Sequence, residues 1–160
     1  VMLTVAVMIG RSTCSPSEAV LAEEVGALLA ERSVTLVCGG LGGVMEAACR
    51  GAVSRGGFTV GILPGNERTA ANQWVSLPIA TGVGQARNIA VVRSCQAVIA
   101  IGGSYGTLSE IAFALNSDIP VVGIDTWRLA EHAAAPGTIH EVSTAIEAVE
   151  LALKLAPGKE

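Results

Sequence analysis

The chain has 160 residues, a mass of 16.2 kDa and a formal net charge of −4; hydrophobic residues make up 51% of it and charged residues only 15%. This length predicts a single domain spanning residues 1–160, and so high a hydrophobic fraction excludes an intrinsically disordered protein. Aromatic residues contribute only 3%, so the apolar side chains are mainly small or branched aliphatics. That composition is typical of parallel strands buried on both faces beneath helices.

The predicted elements alternate between strand and helix along the chain. In chain order they are a strand at 3–9, a helix at 16–31, a strand at 34–38, a helix at 44–55, strands at 58–63 and 74–80, a helix at 86–94, a strand at 97–101, a helix at 107–116, a strand at 120–124 and a helix at 144–155. Ser15 and Glu18 have capping-box spacing around Pro16. Ser143 or Thr144 is the expected cap of the last helix. This alternation predicts a Rossmann-like, three-layer α/β/α fold with a mostly parallel sheet.

Membrane insertion is disfavoured although the mean hydropathy is +0.56. The longest apolar stretch, residues 89–101, is interrupted by Arg93, Ser94 and Gln96, and it is shorter than the ~18–20 residues that a spanning helix needs. No signal-peptide pattern is visible, so we expect a cytoplasmic protein.

Nucleic acid and metal ions are also disfavoured as partners. The ten basic residues are scattered, whereas nucleic-acid binding depends on clustered Lys and Arg. The histidines and cysteines lack ligand-like spacing, and we expect the thiols to be buried and reduced. These residues are His132, His140, Cys14, Cys38, Cys49 and Cys95. A small molecule is therefore the expected partner.

Three glycine-rich turns each follow an apolar strand and open a helix. In a parallel sheet such turns lie at the same carboxyl edge, where glycine permits close backbone approach and helix N-termini favour anions. We therefore expect a phosphate-bearing ligand here; the alternative is that the glycines only make tight connections. The predicted binding residues are Gly10, Ser12, Gly39, Gly40, Gly42, Gly43, Gly102, Gly103, Ser104, Gly106 and Thr107.

The sequence disfavours two familiar kinds of nucleotide site. Met45 stands where a dinucleotide fingerprint has its third glycine, and no Gly-Lys-Ser/Thr sequence is present. We therefore expect neither a full NAD or FAD site nor a Walker-type site.

Few ionisable residues lie near these turns. Arg87 is predicted at a helix start, where the helix dipole disfavours a cation, so an anion or a carboxylate partner is expected for it. Glu110 falls in the first turn of the next predicted helix, either as a functional carboxyl group or as the capping partner of Thr107. Glu46 carries the same ambiguity.

These residues resemble the Lonely Guy proteins, which are often mislabelled lysine decarboxylases. The segment from Gly102 to Glu110 looks like the family's Pro-Gly-Gly-x-Gly-Thr-x-x-Glu motif, with Gly102 in place of the proline and Ser104 in place of the second glycine. The segment 38–46 is similar to the family's second glycine-rich turn. Arg87 falls at the arginine of its Arg-Lys pair, with Asn88 in place of the lysine.

The small number of polar residues predicts a homo-oligomer, a dimer or a dimer of dimers, with residues 89–92 and the face of Ile111, Ala112 and Leu115 as candidate contacts. The resemblance implies a Rossmann-like fold, dimer formation, and hydrolysis of the N-glycosidic bond of nucleoside 5′-monophosphates. It assigns phosphate binding to Gly103, Ser104, Gly106 and Thr107, and the catalytic positions to Arg87 and Glu110.

The glycine motifs look closer still to a bacterial branch similar to molybdenum-cofactor carrier proteins. That likeness implies binding of a phosphorylated pterin without turnover. The leading hypothesis is therefore a binding protein for a nucleotide-like phosphorylated ligand, either a nucleoside monophosphate or a molybdopterin-type cofactor, with no cofactor required. The alternative is the phosphoribohydrolase using Arg87 and Glu110.

Overall fold

The computed structural model of the protein describes residues 4–9, as backbone, 12–130 and 137–156. In chain order the elements are β1 (Thr4–Ile9), α1 (Pro16–Glu31), β2 (Thr35–Cys38), α2 (Val44–Ser54), β3 (Thr59–Leu63), β4 (Leu77–Ala80), α3 (Arg87–Arg93), β5 (Ala97–Ile101), α4 (Tyr105–Leu115), β6 (Val121–Ile124), β7 (Ile139–Glu141) and α5 (Ala145–Leu155). Short 3₁₀ turns at Arg68–Ala70 and Gly84–Ala86 flank β4. Among the described residues, no helix has the length and apolar character needed to cross a membrane.

The strands form one sheet in the order β4-β3-β2-β1-β5-β6-β7, and each ladder between neighbours is parallel. The strands β2, β3 and β4 follow one another on one side of β1, and the strands β6 and β7 follow one another on the far side of β5. The strand order therefore reverses at the boundary between β1 and β5. In open α/β sheets the crevice at this boundary, outside the carboxyl ends of the strands, is where ligands bind.

Helices cover both faces of the sheet. On one face, α1, α2 and α5 pack against a core that includes Ile99 and Ile101 of β5. On the other, α3 and α4 pack against a core that includes Val98 and Ala100 of the same strand. Successive side chains of a strand point to opposite faces of the sheet, and helices cover both faces, so every residue of β5 is buried. The predicted three-layer α/β/α architecture is confirmed.

Local sequence signals fix several helix starts. At α1 the Ser15 Oγ accepts from the Glu18 N–H at 3.2 Å, and the Glu18 carboxylate accepts from the Ser15 N–H at 2.7 Å. Thr144 and Glu147 form the same reciprocal cap at α5. These boxes satisfy N–H groups that have no partner within the helix, and they confirm both predicted caps.

The helices α1 and α2 lie unusually close. A Cβ placed on Gly26 would overlap the carbonyl oxygen of Ala48, and one placed on Gly51 would overlap the carbonyl oxygen of Glu23. These two glycines therefore bring the helix backbones into contact.

Two predicted boundaries differ from the structure by two residues or more, and one strand was not predicted. Helix α4 begins at Tyr105 rather than at 107, because Ser104 is its N-cap. Strand β4 begins only at Leu77, because the Trp74 N–H turns back to the Asn72 Oδ1 at 3.0 Å. Strand β7 was not predicted; it has three residues, and its pattern is too short to distinguish from a loop.

Candidate functional site

The loop between β5 and α4 forms one wall of the crevice at the β1/β5 boundary. The Ser104 N–H donates to the Thr107 Oγ1 at 3.1 Å and fixes the loop as it enters the helix. The capping relation thus joins Ser104 to Thr107, and the alternative in which Glu110 caps together with Thr107 is wrong. Glu110 lies one turn further into α4 and is left for another role.

Arg87 is the first residue of α3, on the opposite wall of the crevice. The segment before it is tied to the end of β3, since the Gly82 N–H donates to Gly65 O at 3.0 Å and the Gly84 N–H donates to Pro64 O at 2.9 Å. The Arg87 side chain is only 6% exposed. Its buried Nε has no hydrogen-bond partner among the described residues. Burial lowers the pKa of the guanidinium, although nearby Glu110 and Cys38 oppose this.

Gly39 makes room for the Arg87 guanidinium. A Cβ on Gly39 would overlap the terminal nitrogens and the central carbon of that group. A glycine is therefore required at this position for Arg87 to occupy its place, which explains one of the predicted glycines by close approach.

Glu110 is 8% exposed and faces the same crevice from α4. Burial raises the pKa of its carboxyl group to about 8, because the charge-stabilising effect of Arg87 only partly offsets the loss of water. No ion pair within 4.0 Å joins the two groups in the part of the chain that the structure describes. At neutral pH the carboxyl group is therefore mainly protonated, and Arg87 keeps an uncompensated positive charge.

We call the cavity between these walls the Arg87 cavity. It has a volume of about 170 Å³, and its lining comes from four separate segments of the chain. The lining residues are Ser12, Leu41, Met45, Gln85, Arg87, Asn88, Ser104, Gly106, Thr107 and Glu110. The structure thus brings together Ser12, Ser104, Gly106 and Thr107 of the predicted binding residues with both predicted catalytic residues.

The glycines of the second turn do not line this cavity; their neighbours Leu41 and Met45 do. Gly40 packs on the backbone of Gly61 and accepts from the Asn72 N–H at 2.9 Å, Gly42 lies against the Ser12 carbonyl, and Gly43 is the N-cap of α2. These glycines therefore support the edge of the site without lining the cavity. Gly10 lies outside the described residues.

Gly102 and Gly103 line a neighbouring cavity of about 400 Å³ on the other side of the same loop. We call it the Trp127 cavity. Its remaining lining residues are Glu18, Asp125, Thr126, Trp127 and Arg128. No sequence motif marks the four residues that follow β6, although they directly follow a buried strand at the same carboxyl edge.

The predicted burial of the thiols is confirmed for Cys38, Cys49 and Cys95, whereas Cys14 is half-buried. The Sγ atoms of Cys38 and Cys49 lie 3.6 Å apart beneath the second glycine turn. His140 lies in β7, away from the Arg87 cavity, and His132 lies outside the described residues. Across 4–9, 12–130 and 137–156 there is no cluster of three or more His, Cys, Asp or Glu side chains suited to a metal.

Solved structures of other proteins share this fold over nearly the whole chain. The chain has 30% identity and a TM-score of 0.88 to the molybdenum cofactor binding protein from the phototrophic bacterium Rippkaea orientalis, with 98% of each chain covered. With the molybdenum cofactor carrier protein from Chlamydomonas reinhardtii the identity is 32% and the TM-score 0.85, over 96% of this chain and 98% of that one.

A protein from Archaeoglobus fulgidus, described only as uncharacterized, is 47% identical over 108 residues, which are 68% of this chain and 71% of the relative. The SLOG cluster4 family matches residues 2–153. These matches confirm the predicted resemblance to the branch of molybdenum-cofactor carriers. With a family match over nearly its whole length and a fold shared with those structures, the chain belongs to the SLOG cluster4 family.

Proposed function

We propose that this protein binds a molybdopterin-type ligand and holds its phosphate group in the Arg87 cavity. The observation that carries the proposal is the buried Arg87 guanidinium, whose Nε has no partner among the described residues. A buried cation costs free energy unless an anion or hydrogen-bond acceptors compensate it. A phosphate oxygen supplies both.

The other wall of the cavity suits the same anion. The start of α4 presents backbone N–H groups and the positive end of the helix dipole. The Thr107 Oγ1 accepts from the Ser104 N–H, which leaves its hydroxyl hydrogen free to donate to a phosphate oxygen. Glu110, protonated at neutral pH, adds a further donor in place of a repelling charge.

The relatives support the choice of ligand class. Two solved structures of matching fold and length are of proteins named for binding or carrying the molybdenum cofactor. A phosphorylated pterin combines the anion that the Arg87 cavity requires with a ring system that lies beyond it. The binding residues proposed for the phosphate are Ser12, Arg87, Ser104, Gly106, Thr107 and Glu110.

The hydrolase alternative has weaker support. A carboxylate that stabilises a ribosyl cation must be ionised, whereas burial keeps Glu110 mainly protonated at neutral pH. Turnover of nucleoside monophosphates would therefore contradict the proposed binding function.

The test is equilibrium binding of molybdopterin, released anaerobically from a molybdoenzyme, to the full chain and to paired variants. Arg87→Gln should weaken binding by about 10- to 100-fold, since it removes a charge-assisted phosphate contact. Arg93→Gln is the matched control, because Arg93 is exposed in the last turn of the same helix. Gly39→Ala should weaken binding by displacing the guanidinium, whereas Gly65→Ala, with nothing within 4 Å of its added Cβ, should not.

Equal affinities of the wild-type protein and Arg87→Gln would contradict the proposal. So would release of free base and ribose 5-phosphate from AMP that disappears in Glu110→Gln, because that result identifies the hydrolase. Circular dichroism of each variant checks that the fold is retained.

A further inference from the structure

The Arg87 cavity is too small for a whole phosphorylated heterocycle. Its volume of about 170 Å³ compares with the ~300–1,000 Å³ of pockets that enclose complete small ligands, and one water molecule takes about 30 Å³ of liquid volume. A phosphate group fits, and the rest of the ligand must lie outside.

The Trp127 cavity is next to it and larger. The two cavities share the segment from Gly102 to Thr107: Gly102 and Gly103 line one, and Ser104, Gly106 and Thr107 line the other. A ligand with its phosphate at Arg87 therefore reaches the Trp127 cavity by crossing a single loop at Tyr105.

Two of the five aromatic residues in the chain, Tyr105 and Trp127, lie where the two cavities meet. The Tyr105 and Trp127 ring centroids are 5.8 Å apart with an interplanar angle of 32°. The Trp127 Nε1 donates to the Ser104 carbonyl at 3.1 Å, and a Cβ on Gly103 would lie 2.8 Å from that nitrogen, so the indole is fixed against the loop. Tyr105 is 82% exposed, which leaves its ring open for stacking.

Polar groups in the Trp127 cavity match a ring with hydrogen-bond donors on one edge. Asp125 and Glu18 contribute carboxylates to the lining. One oxygen of Glu18 is engaged by the Ser15 N–H, while the other lies against Gly102. The buried Thr126 Oγ1 has no hydrogen-bond partner in the described part of the chain, and it needs one. Arg128, the cation of this cavity, is paired with Glu141 at 2.9 Å.

We propose that the Trp127 cavity is a heterocycle subsite for a 2-aminopyrimidin-4-one ring, the ring edge shared by pterins and guanine. The ring stacks on Tyr105 and Trp127 and donates its amino and ring N–H hydrogens to the carboxylate of Asp125, with Glu18 beside it. The phosphate of the same ligand occupies the Arg87 cavity. This inference rests on the proposed function and adds the part of the ligand that is recognised.

The test uses Trp127 as the reporter. The chain has two tryptophans, so Trp74→Phe leaves Trp127 as the sole source of tryptophan fluorescence. We titrate this protein anaerobically with molybdopterin, and separately with GMP, IMP, AMP and inorganic phosphate. We expect saturable quenching of Trp127 fluorescence by molybdopterin, by GMP, or by both. Comparing these two titrations shows whether the subsite binds a pterin or a guanine ring. IMP, which lacks the amino group, and AMP should bind at least 10-fold more weakly than GMP if GMP binds.

Two variants locate the ring contacts. Asp125→Asn should weaken binding of the quenching ligand about 10-fold, and Tyr105→Ala about 5-fold, with the affinity for inorganic phosphate unchanged. Asp118→Asn is the matched control for Asp125→Asn, because both aspartates are exposed and have positive φ, 55° and 46° respectively. Phe58→Ala, which removes another exposed aromatic ring, is the control for Tyr105→Ala.

Binding that requires Arg87 but leaves Trp127 fluorescence unchanged and is insensitive to both variants would overturn the subsite and leave the proposed function standing. Equal affinity for GMP and AMP, without quenching by molybdopterin, would also overturn it. Absence of binding by molybdopterin and by all the nucleotides would overturn the subsite and the proposed function together.

Discussion

Glu110 shows how one side chain controls the charge of the site. Burial raises the pKa of its carboxyl group to about 8, while the unfolded chain has the ordinary value of 4.5. Between these two values the folded protein retains a proton that the unfolded chain loses. Glu110 therefore contributes most to stability at low pH, and that contribution is lost as the pH rises from about 4.5 through 8.

Glu110→Gln should consequently stabilise the protein at pH 7.5, on the order of 4 kcal/mol, and have little effect at pH 4. Urea unfolding at both pH values measures this difference, with Glu67→Gln on the exposed loop after β3 as the control. Phosphate affinity of the wild-type protein should also fall above pH 8, as ionised Glu110 repels the anion, and this fall should be absent in Glu110→Gln. An equal pH dependence of stability in both proteins would show that Glu110 is not buried as described.

At the scale of elements, the contact between α1 and α2 depends on glycine. Alanine favours a helix by about 1 kcal/mol over glycine, so propensity alone predicts that Gly51→Ala stabilises the protein. The Cβ would instead overlap the Glu23 carbonyl oxygen and push the helices apart. We expect Gly51→Ala to lower the free energy of unfolding by about 2 kcal/mol or more.

Gly106→Ala in α4 is the contrasting variant for that stability measurement. The nearest atom to its added Cβ is the Ser104 Oγ at 3.6 Å, an ordinary contact. It should be neutral or slightly stabilising in the same urea titration. A neutral Gly51→Ala would mean that the two helices can move apart without cost.

The sequence is informative wherever a local pattern determines the element. The run of apolar residues in β5 and the capping boxes at Ser15 and Thr144 are local signals, and the elements that they predict are confirmed. Strand β7 was not predicted because its three residues carry no local pattern. They form a strand through their pairing with β6, which exists only in the assembled sheet. The sequence predicts that α4 begins at Thr107, because threonine is common at helix starts. In the structure Ser104 is the N-cap, so the helix begins two residues earlier, at Tyr105.

The site was predictable to the extent that topology determines it. Parallel strands bring the loops after β1, β2 and β5 to one edge, so the meeting of Ser12, Ser104 and Thr107 followed from the order of elements. The supporting role of Gly39 did not, because it depends on where the Arg87 side chain folds back in three dimensions. Trp127 belongs to no sequence motif, and it is linked to the site by contacts that exist only in the folded protein, namely its hydrogen bond to Ser104 and its ring contact with Tyr105.

For the molecule as a whole, we expect a homo-oligomer, since so few charged residues leave apolar side chains at the surface. From the sequence alone, residues 89–92 and the apolar face of Ile111, Ala112 and Leu115 are the candidate contacts. Ile111, Val91 and Val92 lie in the core instead, so they are not available. Ile89 and Phe113 remain exposed on α3 and α4, which cover the same face of the sheet.

Sedimentation velocity should give a mass above the 16.2 kDa of one chain at micromolar concentration. The double variant Ile89→Asp and Phe113→Asp should shift the protein towards the monomer. Val20→Asp, at an exposed position of α1 on the opposite face, should not. A monomeric wild-type protein would contradict the expectation, and an oligomer unaffected by the double variant would place the interface elsewhere.

The most direct test of the central claim is a crystal structure of the protein with molybdopterin bound. We predict that the phosphate lies in the Arg87 cavity, within about 3 Å of the guanidinium and of donors in the segment from Ser104 to Thr107. Density for the phosphate outside this cavity, with the Arg87 side chain turned away from it, would contradict the account.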